Sequence, residues 1–356
     1  KGFRFDVVNL ISKPDKYEND CEGDGRRFYT DGMHVHEYLK ELVKDTGIED
    51  MITVGEMSST SLDNCIRYSN PEEKELSMCF NFHHLKVDYK NGNKWELMDT
   101  DRKELKRLFE EWQIGMQEHN GWNSLFWCNH DQPRIVSRMG NEKDYWKQSA
   151  KMLVAAVHLM RGTPYIYQGE EIGMPNAHFK DIADYRDVES LNYYEILLKE
   201  GKTKEEAIKT LQERSRDNSR TPMQWSDEEN AGFSDVTPWI SVPDHYEEIN
   251  VENELKDQDS IYYFYKKLIE LRKEKEVIQE GTIEFFEKED DDLLAYERNY
   301  KEEHLVVLNN LTEREKEVEI PQLWTSYHKL IGNYDTENIK ENKVVLRPYE
   351  TLVLEK

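Results

Sequence analysis

Hydrophobic and polar positions follow two different patterns along the chain, and the pattern changes near residue 280. In the first part, short apolar runs alternate with segments whose apolar residues recur every three or four positions, which predicts strands alternating with amphipathic helices. The predicted strands are 2–8, 51–56, 78–82, 124–129 and 164–168. The predicted helices are 34–44, 104–117, 145–160, 191–200, 204–214 and 260–273. This alternation favours an α/β fold built from parallel β/α units.

The second part of the chain contains short β runs separated by polar turns, which indicates a small antiparallel β-sandwich domain. Its predicted strands are 282–286, 293–298, 305–309, 317–320 and 343–354. We therefore expect two domains, residues 1–278 and residues 279–356. Residues 172–258 interrupt the first domain, and we expect them to form a long insertion at its rim, with 217–234 as an ordered loop.

The first domain has fewer predicted strands than a closed barrel needs. Five strands are predicted, whereas a (β/α)8 TIM barrel contains eight. The chain also begins directly on a strand, with neither a Met nor a helix cap before it. We therefore expect the C-terminal portion of such a barrel, from about its fourth strand onward, followed by the β-sandwich. The same reasoning predicts that the chain is part of a longer protein.

The composition narrows the classes of function. Of the 356 residues, 37% are hydrophobic, and the formal net charge of −25 disfavours nucleic acid and anionic membranes as partners. No apolar run reaches the ~18 residues of a transmembrane helix. The four cysteines lack the spacing of a metal site, and free thiols are typical of a reducing compartment. We expect a cytoplasmic monomer that acts on a small molecule and needs neither a cofactor nor a metal ion.

Three carboxylates lie at or near the C-terminal ends of predicted strands, and these are the strongest functional signal in the sequence. Asp6, Glu56 and Asp131 each follow an apolar run. The carboxyl ends of parallel barrel strands meet at one rim, where such folds keep their active sites. Cleavage of a sugar acetal with retention needs a nucleophilic carboxylate and an acid/base about 5 Å apart. Any one of these residues alone could cap a helix or pair with a lysine, but the ordered set predicts a glycosidase site.

The neighbours of the three carboxylates suggest a different role for each. Arg4 precedes Asp6 by two residues on the same strand face, and a guanidinium there suits an ionised nucleophile. Glu56 follows an apolar run with no adjacent cation, which favours the protonated form of an acid/base. His130 and Asp131 are adjacent and could both bond the hydroxyls of a distorted sugar ring.

Five segments carry a resemblance to a known family. GFRFDVVN (2–9), VGEM (54–57) and NHDQPR (129–134) resemble signature regions of the alpha-amylase family of retaining glycoside hydrolases. RDNSRTPMQW (216–225) and TPYIYQGE (163–170) resemble its oligo-1,6-glucosidase branch. The resemblance covers essentially the whole chain, and it implies a TIM-barrel enzyme that cleaves α-glucosidic bonds.

The resemblance also implies roles for individual residues. Asp6 would be the nucleophile, Glu56 the acid/base and Asp131 the stabiliser of the transition state. The residues implied to line the pocket for the non-reducing glucose are Arg4, His130 and Arg216. Val7, directly after the nucleophile, resembles members that act on α-1,6 and trehalose-type linkages.

The leaving group is predicted from a basic segment after the third strand. FNFHHLKVDY (80–89) and GEMSST (55–60) resemble family members that act on trehalose 6-phosphate. A protein of charge −25 needs a local cationic cluster to capture a sugar phosphate. The candidate cluster consists of His83, His84, Lys86, Lys90 and Lys94. We expect Lys86 and Lys94 to contact the phosphate and His83 to line the substrate site, although a solvated loop and packing histidines are the alternatives.

These observations predict a retaining exo-acting α-glucosidase that hydrolyses trehalose 6-phosphate to glucose and glucose 6-phosphate through a covalent glucosyl-enzyme. The first alternative is an oligo-1,6-glucosidase that uses the same residues on isomaltose, and residues 82–94 should discriminate the two. The second is a transglycosylating sucrose or trehalose isomerase. The third is a non-catalytic amylase-like subunit, but such relatives typically lose catalytic carboxylates, and all three are present in this chain.

Overall fold

Five short parallel strands form a row in the first part of the molecule, in a computed structural model that describes all 356 residues. They are β1 (Gly2–Phe5), β2 (Ile52–Glu56), β3 (Met78–Phe80), β4 (Ser124–Leu125) and β5 (Thr163–Pro164). β1, β2 and β3 pair in parallel, β4 pairs in parallel with β5, and a parallel bridge between Cys79 and Asn123 joins the two groups. Because all five strands run the same way, their C-terminal ends meet at one rim, which positions the candidate site.

Helices follow these strands and cover the row. They are α1 (Val35–Thr46), α2 (Leu62–Ser69), α3 (Arg102–Glu118), α4 (Ile135–Met139) and α5 (Trp146–His158). α1 buries Val35, Leu39 and Val43, which lie four residues apart on one face, and it ends at Gly47 in the left-handed conformation. α5 is buried along almost its whole length, because it lies between the strands and the C-terminal domain. Neither α2 nor α4 was predicted from the sequence.

The segment after β5 is an ordered insertion, and its buried apolar residues form a hydrophobic cluster together with Trp95 from the segment after β3. It contains α6 (Val188–Lys199), α7 (Lys204–Arg214), α8 (Asp217–Arg220) and α9 (Val251–Lys256). α7 begins with a capping box between Thr203 and Glu206. The helix α8 lies inside the segment 217–234 that was expected to be a loop. The chain then forms α10 (Ile261–Glu274) and α11 (Glu276–Glu280), and α10 packs against α5.

The C-terminal part consists of two antiparallel sheets. Its strands are β6 (Thr282–Phe286), β7 (Leu293–Tyr300), β8 (Glu303–Asn310), β9 (Lys316–Glu319), β10 (His328–Gly332), β11 (Ile339–Lys340), β12 (Lys343–Leu346) and β13 (Thr351–Glu355). One sheet has the order β10-β13-β8-β7-β6 and the other β11-β12-β9. Val306 and Leu308 of β8 belong to the core between the sheets, whereas Leu305 and Val307 belong to the core shared with the first part. β8, the middle strand of the larger sheet, is therefore buried on both faces.

The structure corrects three details of the predicted elements. Residues 343–354 form two strands, because the chain turns at Pro348 and Tyr349, and Tyr349 has a φ of 50°. β10 was not predicted at all. β4 and β5 end earlier than expected, because the apolar residues after Leu125 and Pro164 leave the sheet and line a cavity instead. No helix combines the length and the apolar character that crossing a membrane requires.

Candidate active site

The carboxylates at the C-terminal ends of β1 and β2 meet at a single guanidinium group. Arg4 Nη1 lies 2.5 Å from Asp6 Oδ1, and Arg4 Nη2 donates to Glu56 Oε2. β1 and β2 are parallel with Arg4 opposite Val54, which brings the ends of both strands to the same height. The Asp6 side chain is 74% exposed and the Glu56 side chain 13% exposed. The site therefore presents one open and one recessed carboxylate, held next to each other by one guanidinium.

The position of Arg4 corrects one expectation about Glu56. The sequence predicts no cation beside Glu56, because no basic residue precedes it on its own strand. The structure brings a cation from the neighbouring strand, 52 positions away in sequence. Since Arg4 donates to Oε2, the other carboxyl oxygen of Glu56 remains available for proton transfer.

An aromatic cavity of about 190 Å³ opens beside these carboxylates. Its polar lining includes Arg4, Glu56 and His130. Its aromatic walls are Phe80, Phe82, Phe126, Tyr165 and Tyr167. Phe80 lies edge-on to both Phe126 and Tyr165, with ring centroids 5.0 and 4.6 Å apart. Rigid aromatic walls with a few polar groups suit the apolar faces and hydroxyls of a sugar ring.

Asp131 is held by arginines from the insertion. Arg220 Nη2 lies 2.6 Å from Asp131 Oδ1, and Arg216 Nε lies 3.7 Å from the same oxygen. His130 Nε2 lies 3.7 Å from Asp131 Oδ2, and His130 lines the cavity together with Arg4 and Glu56. The loop that carries His130 and Asp131 therefore borders the same cavity, although no hydrogen bond joins Asp131 to the pair held by Arg4.

Arg220 is a site residue that was not predicted from the sequence. Besides Asp131, it contacts the carbonyl oxygen of His130 at 2.7 Å and Asp187 at 3.3 Å. It lies four residues after Arg216, and the helical turn of α8 places residues at this spacing on one side. The spacing of the two arginines in the segment 216–225 was therefore an available signal.

Arg134 joins three loops beneath the cavity. Its side chain is completely buried, and burial lowers the pKa of this guanidinium. It donates to the carbonyl oxygens of Gln168 at 2.5 Å and Asn218 at 3.3 Å. Its guanidinium also lies over the ring of Tyr167, 5.3 Å from the centroid. Arg134 therefore ties the loop of Asp131 to the loop of Tyr167 and to α8.

Glu170 is a second buried ionisable group under the site. One of its carboxyl oxygens accepts the Tyr167 amide at 3.1 Å, and the other has no hydrogen-bond partner. Burial raises the pKa of Glu170 to about 7. The carboxyl group therefore changes charge near neutral pH, directly below a residue that lines the cavity.

The two predicted phosphate lysines differ in their surroundings. Lys94 Nζ pairs with Glu189 at 2.8 Å, and Glu189 also lies 3.0 Å from Arg216. Burial lowers the pKa of the Lys94 ammonium. Lys86 is exposed, and the pKa of its ammonium is lowered by partial desolvation and then by Arg26, which is also cationic. Lys86 is therefore available to an anion, whereas Lys94 already has a carboxylate partner.

His83 has structural partners on both sides. Its Nε2 lies 2.8 Å from the carbonyl oxygen of Thr60, and its ring stacks on Trp112 with centroids 5.0 Å apart. Burial lowers the pKa of His83. These contacts tie the basic segment to the loop that follows Glu56, and the assignment of His83 to the substrate stays a prediction. No cluster of three or more His, Cys, Asp or Glu side chains is arranged to hold a metal ion.

Comparison with known proteins places these features in a family. The alpha amylase catalytic domain family matches residues 1–281, and the alpha-amylase SusG C-terminal domain family matches residues 293–353. The trehalose-6-phosphate hydrolase of Bacillus subtilis is 51% identical over 99% of this chain and 64% of its own length. The oligo-1,6-glucosidase of Bacillus cereus is 43% identical over the same shares of the two chains.

A solved structure gives the same result. The crystal structure of Bacillus licheniformis trehalose-6-phosphate hydrolase superposes with a TM-score of 0.95 at 53% sequence identity, covering 99% of this chain and 65% of that one. The chain thus spans a little under two thirds of the length of these relatives. The matches confirm the resemblance carried by the five sequence segments, and the chain belongs to the alpha-amylase family.

Proposed function

We propose that the protein is a retaining, exo-acting α-glucosidase that hydrolyses trehalose 6-phosphate to glucose and glucose 6-phosphate. The observation that carries this proposal is the pair of carboxylates, Asp6 and Glu56, held by Arg4 beside an aromatic cavity. Relatives that bear the name trehalose-6-phosphate hydrolase are 51% and 53% identical to the chain and support the choice of substrate.

The geometry supports a two-step mechanism with a covalent intermediate. Asp6 is the open carboxylate and would attack the anomeric carbon, while Arg4 compensates its charge. Glu56 is recessed and would protonate the leaving oxygen through the carboxyl oxygen that Arg4 does not hold. The glucosyl group would then be bound to Asp6. In the second step Glu56 would take a proton from water, and the water would release glucose with its α configuration retained.

The loop of Asp131 would stabilise the transition state. Hydrogen bonds to ring hydroxyls strengthen as positive charge develops at the anomeric carbon. Arg220 and Arg216 hold Asp131 from one side, so its second oxygen would point to the sugar together with His130. We assign Arg4, His130 and Arg216 to the walls of the glucose pocket and Val7 to the recognition of the linkage.

The basic segment would receive the phosphate. Lys86 is the stronger of the two candidates, because it is exposed and the neighbouring charge of Arg26 adds to its attraction for an anion. Lys94 would contribute only if the substrate phosphate competes with Glu189 for its ammonium. The second sugar would therefore lie beside the loop that contains Lys86.

We infer that the five parallel strands are the last five of an eight-stranded barrel, since the family has a TIM-barrel catalytic domain. We also infer a cytoplasmic monomer, and the three buried free cysteines support a reducing compartment. Its partner would be a small phosphorylated disaccharide, with no nucleic acid or membrane involved.

The experiment that tests the function compares kcat/KM of the full-length protein on trehalose 6-phosphate, trehalose and isomaltose. We expect about a 10- to 100-fold preference for the phosphorylated sugar over trehalose, as one or two charge-assisted hydrogen bonds provide. A strong preference for isomaltose would instead establish an oligo-1,6-glucosidase. Formation of isomeric disaccharides from sucrose would establish an isomerase, and either result would overturn the proposal.

A further inference from the structure

The turn that follows Asp6 is strained. Val7 has φ 42° and ψ 40°, in the left-handed region that β-branched residues rarely adopt. A residue in such a conformation persists only where its surroundings hold it. The chain continues into a single 3-10 turn, Val8–Leu10, whose central residue Asn9 is completely buried. The contacts of Asn9 therefore help to decide where Asp6 lies.

Asn9 uses its side-chain amide to hold the loop that follows Glu56. Its Oδ1 accepts a hydrogen bond from the backbone nitrogen of Ser58 at 2.9 Å, and its Nδ2 donates to the carbonyl oxygen of Ser58 at 2.9 Å. Two bonds to one residue fix both the distance and the orientation of the two segments. The amide thus joins the chain near Asp6 to the chain near Glu56.

A carboxylate holds Asn9 from the other side. Asp31 accepts hydrogen bonds from Asn9 Nδ2 at 3.0 Å, Asn64 Nδ2 at 3.0 Å and the Tyr68 hydroxyl at 2.7 Å. The backbone nitrogen of Asp31 also donates to the carbonyl oxygen of Asn9 at 3.0 Å. Both N–H groups and the oxygen of the Asn9 amide are therefore used, which leaves it one satisfied orientation.

Close packing also holds the 3-10 turn after Asp6 against the strand that ends at Glu56. Gly55 lies directly before Glu56, and a Cβ at this position would lie 3.3 Å from Val8 Cγ1, 2.5 Å from Met57 Cε and 2.6 Å from Leu76 Cδ1. The missing side chain lets the 3-10 turn approach β2 closely. The two carboxylate-bearing segments are therefore fixed to each other both by packing and by the Asn9 amide.

We propose that Asn9 is a positioning residue that sets the separation and mutual orientation of the Asp6 and Glu56 carboxylates. This inference rests on the proposed function, because it matters only if these two side chains carry the reaction. Asn9 does not line the cavity, so it acts through the backbone of the two loops. Misplacement of a reacting group by 1 Å costs about 10²-fold in rate. Because the Asn9 amide bonds Ser58, two residues after Glu56, we expect its loss to impair proton transfer by Glu56 most.

The test compares Asn9→Ala with Asn64→Ala in the full-length protein. Both amides donate to Asp31, but only that of Asn9 holds Ser58. Each variant is assayed on trehalose 6-phosphate, whose sugar leaving group needs protonation, and on p-nitrophenyl α-glucoside, whose leaving group does not. We expect Asn9→Ala to lower kcat on the sugar about 100-fold and on the aryl glucoside about 10-fold, with KM nearly unchanged. Asn64→Ala should stay within about 3-fold on both substrates.

The inference would be overturned if Asn9→Ala lowered kcat by the same factor on both substrates. It would also be overturned if Asn9→Ala and Asn64→Ala changed kcat equally, because either result would show a merely structural role. If Asn9→Ala does not fold, Asn9→Asp takes its place, because it keeps the acceptor for Ser58 and loses both donors. It should likewise lower kcat more on the sugar substrate than on the aryl glucoside. A wild-type protein that ignores trehalose 6-phosphate but cleaves isomaltose would refute the proposed substrate. In that case isomaltose serves as the sugar substrate, and the comparison of the variants remains decisive.

Discussion

Two regions carry charged residues that the sequence predicts to be functional: the ends of β1 and β2, and the basic segment 83–94. The surroundings of these residues differ between the two regions. At the strand ends, Arg4 brings Asp6 and Glu56 together beside an open cavity. In the basic segment, Lys94 is paired with a carboxylate and His83 is packed against Trp112. The parallel register of β1 and β2 fixes the positions of Arg4, Asp6 and Glu56. The positions of Lys94 and His83 depend instead on the side chains that pack around their loop.

The largest expected effect concerns the strand ends. Asp6→Ala removes the proposed nucleophile and Glu56→Gln the proposed acid/base, and each should lower kcat on trehalose 6-phosphate by at least about 10³-fold. Steady-state kinetics on the full-length protein measure this loss. Thermal unfolding provides the control, because both variants should keep a melting temperature near that of the wild type. Near-normal turnover in either variant would remove the catalytic assignment.

The next effect separates the two lysines of the basic segment. Lys86→Ala should raise KM for trehalose 6-phosphate about 10- to 100-fold and leave KM for isomaltose unchanged, since it removes one charge-assisted contact. Lys94→Ala should have a smaller effect, because its ammonium is already held by Glu189. The effect of Lys86→Ala should also shrink at high ionic strength.

Lys90→Ala is the matched control for these two variants, since Lys90 is an exposed lysine of the same segment. It should change KM by less than about 3-fold. If Lys94→Ala raised KM for the phosphorylated substrate more than Lys86→Ala did, the assignment of the phosphate to the free lysine rather than to the paired one would be wrong.

A packing prediction concerns the junction of the strand ends. Gly55→Ala places a methyl group within 2.6 Å of Leu76 Cδ1 and should lower the free energy of unfolding by about 1–3 kcal/mol. Urea denaturation measures this difference. Gly23→Ala, at an exposed loop position where only the Asp20 side chain lies near the added Cβ, should change stability by less than about 0.5 kcal/mol. Equal stability of the two variants would show that Gly55 is not a tight contact.

The smallest expected effect is a pH dependence below the cavity. Burial raises the pKa of Glu170 to about 7, so the folded protein binds a proton here that the unfolded chain has already lost above its ordinary value of 4.5. This contribution is complete below pH 4.5 and is lost as the pH rises through about 7. Cys128, Arg134 and Glu171 also face this carboxyl group.

Glu170→Gln keeps a neutral side chain and should therefore flatten the pH dependence of stability between pH 5 and pH 8. We expect the melting temperature of the wild type to fall by about 3 °C more than that of the variant over this interval. The exposed Glu284→Gln is the control and should follow the wild type. A variant with the wild-type slope would show that Glu170 does not titrate in this range.

The sequence alone predicted the alternation of strands and helices in the first part of the chain and the position of Asp6 and Glu56 at the ends of two strands. It did not predict α2, α4 or β10. The predicted features are local, because the spacing of hydrophobic residues and the end of an apolar run can be recognised within a few residues of sequence. For the same reason Asp6, Glu56 and the pair His130–Asp131 could be named before any coordinates. The motif segments also identified the family, which the comparisons confirm.

Only the tertiary structure decided which charges meet. Arg4 reaches Glu56 across 52 positions, Lys94 reaches Glu189 across 95, and Arg220 reaches Asp131 across 89. The amide of Asn9 likewise finds Ser58 across 49 positions. No local pattern encodes such pairs, because they depend on where the chain returns and which side chains are buried there. Burial and long-range contact therefore turn a set of charged residues into a site with distinct roles.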